Sequence, residues 1–357
     1  MSGPSVVALG GGHGLAASLS ALKLISDDIT AVVTVADNGG SSGRLRDEFD
    51  VLPPGDLRMA LSALCDDSEW GHTWRDVLQH RFRGTGPLGG HSVGNLLIVA
   101  LWELHKDPVA GLDLVGRLLN SRGRVLPMAA VPLEIEAEVQ GADPRLPDEV
   151  STLRGQVAVA STTGRVRSIA LDPADPPAPE ATVRAVEHAD WVILGPGSWF
   201  TSVMPHLMVP DLRAALHDTH ARRLLTLNVE HSGETAGFSA AQHLEVLAEH
   251  APRLRLDVVL ADPGAIDDDD ALRRAAARLG AEVVAAPVAK RGHPGHHDSL
   301  RLDVVLADPG AIDDDDALRR AAARLGAEVV AAPVAKRGRP GHHDSLRLAA
   351  AYRDILG

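Results

Sequence analysis

Five short stretches carry the residue types that bind phosphate oxygens and sugar hydroxyls. The first, Gly10-Gly11-Gly12-His13-Gly14, follows the apolar run Val6-Val7-Ala8-Leu9 and leads into the helix-forming run Leu15 to Leu24. A strand that ends in glycines and opens a helix brings bare backbone N–H groups and a helix N-terminus to one spot, which suits an anion. Gly12 to Ala17 also fits the G-x-G-x-x-[GA] spacing. A second strand, Ile29 to Ala36, ends at Asp37, where a dinucleotide fold keeps the acid that holds a ribose hydroxyl. The same glycines also describe a plain tight turn, so the other stretches must decide.

The second stretch, Asp37-Asn38-Gly39-Gly40-Ser41-Ser42-Gly43, reads as a glycine-rich loop with Arg44 and Arg46 directly behind it. In the third, Pro53-Pro54-Gly55-Asp56-Leu57-Arg58, a helix begins near Asp56. That residue is either a helix-start carboxylate or a ligand to substrate or metal. The fourth is Gly89-Gly90-His91-Ser92, ahead of a strong helix in which Val93, Leu96, Leu97, Ala100, Leu101 and Leu104 form one continuous apolar stripe, expected to be buried. Ser92 is a plausible N-cap. His91 and Asn95 lie off the stripe and either face a site or serve as capping and surface groups. The fifth, Gly195-Pro196-Gly197-Ser198, follows the strand Trp191 to Leu194 and leads through Trp199-Phe200-Thr201-Ser202 into a helix.

Strand and helix patterns alternate through the first hundred residues and resume after residue 190, the mark of a parallel sheet covered by helices. Residues 66–90 read as a loop with a short helix. Between Val125 and Leu171 the texture becomes antiparallel, with short strands at Val131 to Val139, Gln156 to Ala160 and Val166 to Leu171; Glu134, Glu136 and Glu138 line a wet face. Asp172 to Glu180 is a proline-rich connector. Further strands run from Leu224 to Asn228 and from Leu256 to Ala261, with a helix from Ser239 to His250 between them. In such sheets the turns after the strands gather on the carboxyl edge, where doubly wound folds bind ligands.

Residues 254–299 recur at 300–345 with one difference, His293 against Arg339. Two copies fall short of a solenoid, and only one can fill the original place in the sheet. Each copy reads strand, helix, strand, and only the second continues into a terminal helix from Leu346 to Leu356. His293, His296, His297, His342 and His343 lie in glycine- and proline-containing turns, which disfavours a metal cluster. The expected organisation is one nucleotide-binding domain over residues 1–299, with the antiparallel excursion at about 125–171, the tandem copy at 300–345 and a terminal helix at 346–357.

A formal charge of -13 makes nucleic acid a poor partner, although local N–H groups and a few arginines can still bind an anionic small molecule. Cys65 is the only cysteine, so neither an intramolecular disulfide nor a cysteine zinc site is available. The start lacks a basic n-region and no run approaches a membrane span, so a cytoplasmic location is expected. A homo-oligomer is compatible with these features.

Taken in order, Gly10 to Leu15, Thr34 to Arg46, Pro53 to Arg58, His91 to Leu97 and Gly195 to Ser198 resemble the gluconeogenesis factor (YvcK-like) family, a branch of the CofD-like superfamily. The resemblance spans residue 5 to about residue 299. It implies an α/β fold of Rossmann-like type, a three-layer parallel sheet with helices on both faces and a small antiparallel insertion. It also implies a nucleotide ligand. In the sister branch, CofD proteins transfer 2-phospho-L-lactate from a guanosine diphosphate donor onto a deazaflavin. The gluconeogenesis-factor branch is associated with UDP-sugar binding, cell shape and cell-wall synthesis during gluconeogenic growth. Two departures stand out: His13 where threonine is common, and Trp199-Phe200 where leucine-tyrosine is frequent.

The leading expectation is a regulator that binds a nucleotide sugar of the UDP-N-acetylglucosamine type and needs no cofactor. Gly11, Gly12, His13 and Gly14 with Gly195, Gly197 and Ser198 would hold the diphosphate, Asp37 or Asn38 a ribose or sugar hydroxyl, and Arg44 or Arg58 phosphate charge. Gly39, Gly40, Ser41, Ser42, His91, Asn95, Thr201 and Asn228 complete the candidate set. The alternative is a transferase of the 2-phospho-L-lactate type in which Asp37 and Asp56 bind Mg²⁺. An NAD-dependent oxidoreductase rests on Gly12 to Ala17 and Asp37 alone. No glycine loop ends in Lys-Ser or Lys-Thr, and no G-x-S-x-G elbow follows a strand, which disfavours P-loop and serine hydrolases.

Overall fold

The computed structural model describes residues 3–229, 233–289, 304–307, 328–331, 349, 352, 353 and 355. The sheet begins with β1 (Val6–Gly10), β2 (Ile29–Val33) and β3 (Arg124–Pro127), and continues with β7 (Trp191–Leu194), β8 (Arg222–Thr226), β9 (Val258–Ala261) and β10 (Glu282–Ala285). All pairs are parallel, in the order β10-β9-β8-β7-β1-β2-β3. Strand order therefore reverses between β1 and β7, a topological switch point. β1 and β7 are buried along their whole length, as a strand covered on both faces must be.

The connections decide which loops reach that point. α1 (Gly12–Leu22) joins β1 to β2, and α2 (Gly40–Phe49), α3 (Pro54–Leu64), α4 (Glu69–Gln79), α5 (Val93–His105) and α6 (Pro108–Leu118) lie between β2 and β3. The remaining helices are α7 (Gln156–Ala160), α8 (Glu180–His188), α9 (Pro210–Asp218), α10 (Ala240–His250) and α11 (Asp269–Leu279). α1 packs on α3, α8 on α9 and α10 on α11. Right-handed crossovers that run outward in opposite directions from the switch point place the two helix sets on opposite faces.

Four local expectations need correction. The buried face of α5 is Gly94, Asn95, Ile98, Val99 and Trp102, while Ala100 and Leu104 of the expected stripe are exposed and the rest of it half-buried, because Asn95 turns inward to bond Arg58 and Ser41. Gly40 to Gly43 is not loop but the first turn of α2; a β-carbon on Gly43 would overlap the Asn38 carbonyl, so the small residues are there for close approach. Residues 66–90 hold a full helix, α4, capped where the Ser68 hydroxyl accepts the Gly71 N–H. Gln156 to Ala160 is α7 rather than a strand, because a five-residue apolar run fits either period and a tertiary contact at its N-terminus decides.

The antiparallel excursion is a three-stranded sheet, β5-β4-β6, built from β4 (Glu134–Gln140), β5 (Val150–Arg154) and β6 (Arg165–Asp172). β5 has too polar a sequence to show as a strand, and it completes the face that carries Glu136, paired with Arg154. Along β4, Ile135, Ala137 and Val139 are buried while Glu138 is exposed, as the alternation requires.

The first copy of the repeat occupies the sheet edge as β9, α11 and β10. From the second copy, β11 (Val304–Ala307) and β12 (Glu328–Ala331) pair with each other in a separate two-stranded sheet. The tail histidines, the second copy's helix and most of the terminal helix lie outside the described residues. Ala349 and Tyr352, both helical, are buried against the main core. Deleting residues 300–345 joins Ser299 to Leu346 and leaves all seven sheet strands. Circular dichroism melting of this variant is expected to match the full chain to within about 2 °C, on the order of 1 kcal/mol or less.

Candidate functional site

Two loops touch at the switch point. Gly11 to Gly14 leaves β1 and Gly195 to Ser198 leaves β7. A β-carbon on Gly14 would overlap the Pro196 carbonyl oxygen and stand 2.7 Å from its carbon. Gly12 has a φ of +56°, which also favours glycine. Asn228, just past β8, clasps Gly197 at both ends: its Oδ1 accepts the Gly197 N–H at 2.9 Å and its Nδ2 donates to the Gly197 carbonyl at 2.8 Å. Ser198 is exposed at the start of a π-helical turn, Trp199–Val203.

Asp56, at the N-terminus of α3, reaches this junction from below. A β-carbon on Gly11 would stand 2.6 Å from Asp56 Oδ2, and the Gly12 N–H bonds to the carboxylate. Burial raises its pKa to about 7, the nearby Asp37 charge adds to the rise, and the Gly12 N–H and Arg58 oppose it. Asp37 arrives from the end of β2. Its Oδ1 accepts the Gly39 N–H at 2.8 Å, and its Oδ2 stands 3.0 Å from where a β-carbon on Gly55 would be. The same β-carbon would overlap Ser42 Oγ. Gly12, Asp37, Asp56 and Gly197 thus share one rim.

Other expected residues brace the rim. The Asn38 side-chain oxygen accepts the Val157 N–H at 3.1 Å, the contact that starts α7 and ties the antiparallel insertion to the β2 loop. Ser41 Oγ lies 3.0 Å from His91 Nδ1 and accepts the Asn95 amide at 3.1 Å; Asn95 Oδ1 in turn accepts Arg58 Nε at 2.9 Å. Arg58 also bonds Gln79, so this buried chain binds α2, α3, α4 and α5 together. His91 and Asn95 therefore serve neither as surface groups nor as caps. Ser92 stands at the N-cap of α5, but its hydroxyl caps nothing and has no partner among the described residues. Arg44 donates to the carbonyls of Pro87 and Gly89, pinning residues 87–89 to α2. His13 and Gly40 are exposed beside their loops, and His13 is engaged in an interaction of its own.

Thr201 is buried beneath the Gly195 to Ser198 loop, beside a residue that the sequence does not single out. Glu234 accepts the Phe200 N–H at 2.8 Å. Burial raises its pKa to about 7 against the opposing pull of the Phe200, Thr201 and Trp199 N–H groups and the Thr201 hydroxyl. Thr34, at the head of the Thr34 to Arg46 motif, has its hydroxyl 3.2 Å from the Gly10 carbonyl and 3.1 Å from the Ser202 carbonyl, joining the loop after β1 to the turn after β7. Neither residue carries a periodicity, and Gly233-Glu234-Thr235 reads locally as a turn. No group of three or more metal-ligating side chains occurs among the described residues.

Known proteins share this fold and much of this sequence. The family model described as 2-phospho-L-lactate transferase CofD matches residues 6–297. The chain is 56% identical over 297 residues to a Mycobacterium tuberculosis (strain H37Rv) protein named "Putative gluconeogenesis factor", covering 82% of this chain and 86% of that protein. It is 37% identical over 268 residues to the Bacillus subtilis protein named "Gluconeogenesis factor", covering 74% and 81%. A crystal structure of a UPF0052 family member from Bacillus halodurans superposes with a TM-score of 0.71 at 28% identity, covering 98% of this chain and 99% of that one.

Two measurements test the arrangement. Gly14→Ala is expected to cost about 3 kcal/mol or more in urea unfolding, because backbone rather than a flexible side chain must move. A carboxyl whose folded pKa lies above its unfolded value stabilises the fold at low pH and loses that contribution as pH rises through the folded pKa. Stability is therefore expected to fall between about pH 4 and about pH 7. Asp56→Asn should remove its share, on the order of 2 kcal/mol after discounting for partial exposure, and leave the share of Glu234.

Proposed function

The chain belongs to the CofD family, in the branch of the gluconeogenesis factors, and on that premise we propose that it is a cytoplasmic regulator that binds a UDP-sugar and acts on cell shape and cell-wall synthesis during gluconeogenic growth. The observation that carries this reading is the abutment of Gly14 and Pro196 at the switch point, which sets two glycine loops side by side. Such a crevice takes a diphosphate between backbone N–H groups. In this reading the Gly11 to Gly14 turn meets one phosphate, the Gly12 N–H turning from Asp56 to the ligand, while the exposed Ser198 meets the other and Gly197, its N–H held by Asn228, shapes the turn. Asp37, half-buried beside them, takes a ribose or sugar hydroxyl.

The acids argue against a bare polyphosphate. Asp56 and Asp37 repel one another at this rim, so a phosphate group arrives most favourably when Asp56 holds a proton or a cation comes with it. A nucleotide sugar brings less charge than a nucleoside triphosphate and offers hydroxyls for the ionised carboxylate.

A transferase reading is favoured by the same two carboxylates and by the description of the matching family model. Two carboxylates suit Mg²⁺, which is commonly held by one or two such groups together with substrate phosphates and water. The ion would supply charge neutralisation, while this chain's Gly11 to Gly14 N–H groups orient the diphosphate and Asp37 and Asp56 hold the metal.

Thermal-shift titration with UDP-N-acetylglucosamine, GDP and NAD, each with and without Mg²⁺, separates the readings. The UDP-sugar alone is expected to raise the midpoint, by about 2.7 kcal/mol of linkage at a hundredfold excess over Kd. Dependence on GDP with Mg²⁺ would favour the transferase instead. Asp37→Ala is expected to weaken UDP-sugar binding about tenfold, and an unchanged shift would remove that carboxylate from the site.

A further inference from the structure

The sequence holds one tyrosine, Tyr352, near its C-terminus and beyond the tandem copy. The fold buries it completely, and its hydroxyl lies 3.0 Å from Ser18 Oγ on α1 and 3.1 Å from Thr226 Oγ1 at the end of β8. Ser18 Oγ also donates to the Gly195 carbonyl at 3.3 Å. Each hydroxyl has one proton, which orders the chain. With Ser18 donating to Gly195, Tyr352 must donate to Ser18, and Thr226 donates to Tyr352. Burial pushes the phenol up to about 12, so that proton stays in place across the working pH range.

Gly195 opens the glycine loop that leaves β7. It has a φ of +69°, and a β-carbon there would stand 3.0 Å from the Thr226 carbonyl. β8 therefore meets Gly195 through the Thr226 carbonyl, while the Thr226 hydroxyl holds Tyr352. All three hydroxyls are almost wholly buried, where apolar side chains would fill the space without needing partners. Fully paired, the chain links the last helical residues directly to the backbone from which Pro196, Gly197 and Ser198 depart.

We propose that Tyr352 is a positioning residue for the candidate site: through Ser18 it holds the Gly195 carbonyl, and with it the Gly195 to Ser198 loop, in the form that meets the ligand's diphosphate. The C-terminal helix is then part of the binding apparatus and senses its occupancy. This rests on the UDP-sugar reading above. The partner class is unchanged, a nucleoside diphosphate sugar, and what is added is a link from that ligand to the end of the chain.

The test uses the full chain. Tyr352→Phe keeps the ring packing and removes only the hydroxyl, and calorimetric titration is expected to show UDP-N-acetylglucosamine binding weakened roughly fivefold, the size of one lost hydrogen bond. Ser18→Ala is expected to do the same, and the double variant to be no weaker than either, because all three break one chain. Protein labelled with ζ-¹³C tyrosine gives a single resonance, which is expected to move when the UDP-sugar saturates the site and to stay still in Ser18→Ala. A drop in the ligand-free melting midpoint without a change in Kd, or a resonance that stays fixed in the wild type while heat of binding is released, overturns the coupling alone. A wild-type protein that releases no heat with the UDP-sugar overturns the parent reading, and this proposal with it.

Discussion

The structure depends on one short-range contact, the seating of Gly14 against the Pro196 carbonyl. No residue with a β-carbon can occupy position 14 without pushing the start of α1 away from the loop that leaves β7. Because β1 and β7 are neighbours whose crossovers run outward in opposite directions, the gap between their loops is the one place at this rim without a crossing connection. The contact keeps that gap narrow. Thr34 and Asn228 then hold its two walls, one through the carbonyls of Gly10 and Ser202, the other through both backbone groups of Gly197.

Around this junction the chemistry is unexpectedly acidic for a place where two glycine loops meet. Asp56 takes the Gly12 N–H and Glu234 takes the Phe200 N–H, so each glycine loop leads into a turn whose donors are partly occupied by the protein's own carboxylate. Burial raises both acids to about 7, so each exchanges its proton near neutrality. An internal carboxylate at a helix start uses the dipole that a phosphate would use. These carboxylates therefore set the charge of the junction as the glycines set its shape.

The polar chain of His91, Ser41, Asn95, Arg58 and Gln79 does mechanical work at a distance. Burial lowers the pKa of Arg58 to about 10 against the pull of Asp56 and Asp37, so it stays charged at neutrality while Asn95 and Gln79 accept its N–H groups. Its charge still reaches Asp56, so a residue that serves as a brace also tempers the acid at the rim. The antiparallel insertion enters the same system through Asn38, whose side chain starts α7 and so connects the small sheet to the β2 loop.

What the sequence by itself determined was the sheet and its loops. Runs such as Val6 to Leu9 and Trp191 to Leu194, each followed by glycines, can be little else than buried parallel strands with close-approaching turns, and their order in the chain placed Gly12, Asp37, Asp56 and Gly197 on one rim. Those signals are local, because apolar period and missing β-carbons act over a few residues. Tertiary structure decided the rest. α7 is helical because Asn38, over a hundred residues away, meets its first turn; Glu234 matters because folding brings it to Phe200; and Arg44, expected at a phosphate, reaches the carbonyls of Pro87 and Gly89 first. It also decided which repeat copy extends the sheet and that Tyr352 closes against Ser18 and Thr226. The physical reason is common to all of these: a hydrogen bond between distant residues leaves no periodic trace, and near-identical segments have the same local preferences until a neighbouring strand selects one.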